Sequence, residues 1–173
     1  MKKLFTVVAL LISVQAFSQG QVQRETAGSI GFAQSQIMML VAAIPADKFG
    51  WAPGPGVRSV SEVCAHIIGG NYLFATALGA KVPADLKLET LEKDLKTKEA
   101  VTAELKRSFE ILSTAIKGTK DDALATKVVF PFPGEYTMMS AMLISMGHAN
   151  EHLGQLIAYA RVNGIVPPWS EKK

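Results

Sequence analysis

Residues 137–162 read TMMSAMLISMGHANEHLGQLIAYARV, a run too long and too evenly apolar for a strand. It is bounded before by Phe130-Pro131-Phe132-Pro133-Gly134 and after by Asn163-Gly164 and Pro167-Pro168, which are helix-ending signals. Met138, Met139, Met142, Leu143, Ile144 and Met146 make its first half apolar on nearly every side, which predicts the most buried helix of the protein. These methionines read as adaptable core filler rather than ligands, since thioethers chiefly suit soft ions such as Cu(I).

Three more segments carry helical spacing. Ile30, Ala33, Ile37, Leu40, Val41 and Ile44 recur on one face before Pro45. Trp51-Ala52-Pro53-Gly54-Pro55-Gly56 cannot continue a helix, and Ser59 with Glu62 forms a capping box that starts the second helix near Val60. Its inward face runs Val63, His66, Ile67, Gly70, Phe74 and Ala77, with Gly79 as the stop. Leu86, Leu88 and Leu91 suggest a short helix or an ordered loop. From the N-cap Thr97, a third helix follows Val101, Leu105, Phe109, Leu112 and Ile116, with a Lys- and Glu-rich solvated side. No segment alternates with period two between hairpin signals, so the fold class is all-α, a four-helix bundle of the up-down type.

Ahead of the bundle lies an address. Lys2 and Lys3 precede an apolar run over 4–14, too short to span a bilayer, and Ala16-Phe17-Ser18 resembles an A-x-A cleavage site. Residues 1–18 are expected to be a cleaved signal peptide and 19–173 the bundle domain, periplasmic or secreted, with no stable membrane anchor after cleavage. The full chain has 18 Lys+Arg against 15 Asp+Glu. Two of those lysines lie in the leader, so the remainder carries about +1, and no basic stripe with interleaved aromatics points to nucleic acid. The single cysteine, Cys64, excludes an intramolecular disulfide framework and reads as a small buried apolar residue.

The chain holds three histidines. His148 and His152 are one turn apart on one helix face, continued by Gln155 and Tyr159, and His66 lies on the second helix. If these faces meet, three imidazoles converge in the bundle and leave a coordination position open on a divalent transition metal, zinc or nickel first. The same spacing suits core or rim histidines satisfied by hydrogen bonds. His148-Ala149-Asn150-Glu151-His152 also matches H-x-x-E-H, yet the only acidic residue after His152 is Glu171, so the carboxylate ligand of that peptidase class is missing. Glu151 is a candidate proton shuttle.

Trp51-Ala-Pro-Gly-Pro-Gly leading to Ser59-Val-Ser-Glu-Val-Cys-Ala-His66, then Gly147-His148-Ala-Asn-Glu-His152-Leu-Gly-Gln155, then Arg161-Val-Asn-Gly164-Ile-Val-Pro167-Pro168, resembles the DinB-like superfamily. The resemblance implies a metal held by His66, His148 and His152, and frequent homodimers through helix packing. Its characterised relatives include thiol-dependent transferases and isomerases, whose thiols are principally cytoplasmic, so an exported member sits poorly with that branch. Two functions therefore stand: a metal-dependent hydrolase or transferase of a small molecule, or a non-catalytic bundle that binds metal or an apolar ligand.

Overall fold

The computed structural model describes residues 20–170, so the expected signal peptide and Glu171 lie outside the described residues. Helix α1 spans Gln21–Ala43, α2 Val60–Ala77, α3 Leu91–Asp94, α4 Lys98–Gly118 and α5 Met138–Val162. The four long helices form the expected bundle. α1 begins earlier than its aliphatic run because Gln23, Thr26 and Ala27 continue the same buried stripe. It ends as Ile44, before Pro45, turns extended. Both expected N-caps at Ser59 and Thr97 are present, and Thr137 adds a third, with Ser140 closing a reciprocal pair of hydrogen bonds.

Side-chain contacts fix the helix directions. Gln23 donates to the Thr119 carbonyl while Lys98 donates to the Ala42 and Ile44 carbonyls, so α1 and α4 are antiparallel. Lys96 pairs with Glu62 beside the two N-termini and Asn71 bonds Ser108 further along, so α2 and α4 run parallel. The Tyr159 hydroxyl bonds the Arg58 carbonyl at one end, and Gly70 faces His148 further on, so α2 and α5 are antiparallel. The order is up, down, down, up, so the helices do not alternate as the expected up-down type would, because the long connection between α2 and α4 lets those two run parallel. Each long helix packs on two others, α1 and α2 on both α4 and α5, which leaves α1 and α2 diagonal to one another.

This order dictates the path of the connections. Because α2 and α4 are parallel, the chain between them must return along the bundle for about 27 Å, the length of an 18-residue helix. That return carries α3, whose Leu91 is buried near Gly69 of α2. The loop before α5 is pinned by two short antiparallel strands, β1 (Lys127–Val128) and β2 (Tyr136–Thr137), paired Lys127 with Thr137 and Val128 with Tyr136. Two residues per strand leave no period for a sequence to display.

The core is aliphatic where the stripes meet: Ile30, Ile37, Leu40, Ile67, Leu105 and Leu112 are fully buried, each worth about 1.5–3 kcal/mol relative to exposure. Cys64 is buried among them, and burial pushes its thiol up to about 12. One expectation fails. α5 is not the most buried helix, for Met139 and Leu143 are 42% and 48% exposed, whereas α2 buries most of its length. An all-round apolar sequence shows what a helix can bury, not what neighbours it has, and among the described residues α5 packs on two helices whereas α2 packs on three, α3 included.

Candidate metal centre

α2 and α5 bring His66, His148 and His152 together, with one ligand nitrogen from each ring lying within 4.8 Å of the others. Ring centroids are 4.8 Å apart for His66 and His152, 5.1 Å for His66 and His148, and 4.5 Å for His148 and His152. Close approach depends on Gly70. A Cβ there would stand 2.4 Å from His148 Cε1, so only glycine lets that ring lie against α2.

The tautomer of His152 follows from a carbonyl that can only accept. Tyr159 donates its hydroxyl hydrogen to the Arg58 carbonyl at 3.0 Å, and Gln155 Nε2 donates to the Tyr159 oxygen at 3.0 Å. The Gln155 Oε1 then accepts from His152 Nδ1–H at 2.8 Å, which leaves the Nε2 lone pair free. His66 is oriented in the same sense by a longer contact, 3.5 Å from its Nδ1 to Glu92 Oε1. Glu92 is itself held by Arg58 Nε at 3.0 Å. Carboxylates and amides placed behind metal-binding imidazoles fix their orientation in this way.

Arg58 therefore serves both sides. Its carbonyl ends the His152 chain and its guanidinium holds the Glu92 carboxylate beside His66. Sequence reading found the histidines, Gln155 and Tyr159 but missed Arg58 and Glu92. Neither lies on the ligand-bearing helices, and their approach depends on the return path through α3.

Burial favours the neutral forms of His148 and His66. His148 is pushed down to about 3 by desolvation, then by the neighbouring His152, His66 and Arg58. His66 is also lowered, chiefly by desolvation and then by Arg58 and His152, with Glu92 opposing. The His148 Nδ1 is buried without a protein partner, a costly state that a cation could relieve. Three clustered imidazole donors and that orphaned atom fit a divalent transition ion. The centre is not sealed: the side chains of His66 and Glu92 are 34% and 39% exposed, so His66 stands at a rim rather than pointing fully inward. Glu151 is exposed on α5 and is not among the clustered ligand groups.

The DinB superfamily model matches residues 30–156, spanning α1 through most of α5 and all three histidines. The chain belongs to the DinB superfamily. Solved structures agree on the fold. A DinB-like protein from Bacillus cereus superposes with a TM-score of 0.70 at 16% identity, over 83% of this chain and 93% of that one. A DinB-like protein from Bacillus subtilis gives 0.65 at 16% identity, over 86% and 99%. A mycothiol-dependent maleylpyruvate isomerase gives 0.63 at 14% identity, over 78% of this chain and 60% of that larger protein. No curated protein sequence matches the chain.

Proposed function

We propose that this DinB-superfamily protein is an exported divalent-metal-dependent hydrolase or transferase of a small molecule, with His66, His148 and His152 holding the ion. The supporting observation is the open rim: three imidazoles converge, and one of them, His66, is 34% exposed on the side where Glu92 stands 3.5 Å away. A metal serving only as a staple favours a closed ligand set, whereas a catalytic site keeps a position for water or substrate. When bound, a divalent transition ion supplies Lewis acidity and lowers the pKa of water in its coordination sphere.

The chain's own residues supply the rest. Gln155 and Tyr159 hold the His152 ring against rotation, and Arg58 holds Glu92 at the rim, where a carboxylate can accept a proton from an incoming nucleophile. Export rests on Lys2, Lys3, the apolar run over 4–14 and the Ala16-Phe17-Ser18 site. Among the described residues no helix is long and apolar enough to cross a membrane. Self-association is part of the same proposal, supported by Phe32 and Met39 on α1 and Met139 and Leu143 on α5, all exposed on two helices that pack together.

Cobalt substitution tests the open site. Azide added to the cobalt protein should change its visible absorption spectrum in a saturable way. A spectrum indifferent to azide would favour the alternative, a non-catalytic bundle with a closed metal. N-terminal sequencing of protein from the native host tests export, and an intact Met1 in soluble cytoplasmic extract would refute it.

A further inference from the structure

The return between Gly79 and Thr97, which carries α3 back along the bundle, is fastened by side chains. Beyond Ala80, its backbone hydrogen bonds among the described residues stay within the segment, Leu86 to Pro83, Thr90 to Lys87 and Leu95 to Leu91. Leu91 is its one buried side chain, near Gly69, while Val82, Leu86 and Leu95 are half-buried against the core. Three ion pairs tie it to different parts of the bundle. Asp85 accepts from both terminal nitrogens of Arg107 on α4, at 3.1 and 3.2 Å. Glu92 accepts from Arg58 Nε at 3.0 Å, and Lys96 donates to Glu62 in the first turn of α2, also at 3.0 Å.

These six side chains are between 34% and 68% exposed, so water and salt screen each pair and its contribution is small. A segment with one buried anchor, exposed ion pairs and only local backbone bonds opens without unfolding of the domain. The three histidines do not depend on it equally. His152 is oriented from its own helix through Gln155, and His148 lies against Gly70. His66 takes its orienting partner from the segment, the Glu92 carboxylate at 3.5 Å, and its own side chain is 34% exposed there. Opening withdraws that carboxylate and bares the ring, so His66 is the donor that can turn away while the α5 pair stays seated.

Building on the metal-centre reading, we infer that residues 80–96 form a strap that controls metal exchange. Closed, the strap holds His66 in place through Glu92; open, it frees His66 to admit or release an ion. Gly79, with a φ of 89°, and Thr97, the N-cap of α4, bound the moving part.

Hydrogen exchange on the metal-free protein tests the strap itself. The hydrogen-bonded amides of Thr90 and Leu95 should exchange about a hundredfold faster or more than those of buried Leu105 and Leu112 in α4, and faster again in Asp85→Asn. Equal protection would overturn the strap.

Zinc release into saturating chelator tests the control of exchange. Leu91→Ala should speed release about tenfold or more, and Asp85→Asn about twofold. Asp85 is fastened to α4, which carries none of the histidines, so its effect reports the strap rather than a lost ligand contact. Raising salt from about 0.1 M to about 1 M shortens the screening length from roughly 10 Å to roughly 3 Å and should speed release from the wild type, but less from Asp85→Asn/Lys96→Met. If Leu91→Ala misfolds, Asp85→Asn decides. Release indifferent to Asp85→Asn and to salt would overturn the exchange role even where the strap amides open. Failure of zinc to load would refute the metal-centre reading and the exchange role with it, leaving hydrogen exchange to decide the strap.

Discussion

The His148 ring rests against Gly70 so closely that a Cβ at residue 70 would stand 2.4 Å from Cε1 and 2.9 Å from Nδ1. Gly70→Ala thus sets two effects against each other. Mid-helix Gly to Ala favours the helix by up to about 1 kcal/mol, but the ring must leave its place. The expected outcome is a thermal stability changed little in the metal-free protein, with zinc affinity reduced about tenfold or more. Competition with a chromophoric chelator measures it, and unchanged affinity would show that His148 does not need this seat.

Gln155→Leu breaks the chain from the Arg58 carbonyl to His152 without touching a ligand nitrogen. Loss of an outer hydrogen-bond partner typically weakens metal binding about 10–100-fold. The same chelator competition should show a drop of that order, and Tyr159→Phe a smaller one, because Gln155 keeps its contact with His152. Nitrogen-15 spectra should place the His152 proton on Nδ1 in the wild type and show mixed tautomers in Gln155→Leu.

The low pKa of His148 has a consequence for acid stability. In the metal-free protein below about pH 6.5, the unfolded chain takes up a proton at this residue that the folded protein does not. Stability is therefore full above that pH and falls as pH drops toward about 3, where the folded protein also protonates. Lowered His66 adds to the loss below about pH 6.5. Urea unfolding of the metal-free wild type at pH 7, 5 and 4 should show the decline, and His148→Gln should flatten it.

Glu62 acts lower on the pH scale. Its bond to the Ser59 backbone, followed by those to Lys96 and the Ser59 hydroxyl, lowers it from 4.5 to about 2. That stabilisation is present above about pH 4.5 and is lost as pH falls through about 2. Ser59→Ala should cost about 1 kcal/mol at pH 7 through the lost cap. A loss indistinguishable from zero in urea unfolding would mean that the α2 N-terminus is held by other contacts.

Much of this architecture was legible in the residues. Ile30 through Ile44, Val101 through Ile116 and the caps at Ser59 and Thr97 encode their helices locally, and four-residue spacing alone puts His148 and His152 on one face. What escaped depends on the route of the chain between elements. Glu92 reaches His66 only because α2 and α4 are parallel and the return lays α3 over the rim. Arg58 meets Tyr159 only once α2 and α5 are set antiparallel, a relation between residues 101 positions apart. The exposure of Met139 and Leu143 was hidden for the same reason: it depends on which neighbours α5 lacks.

The central claim is that His66, His148 and His152 hold a divalent transition metal, and elemental analysis tests it directly. Protein purified without a histidine tag, from cells grown with available zinc and nickel, should carry about one such ion per chain in the wild type and little in His148→Ala. Equal, near-zero metal in both would contradict the account.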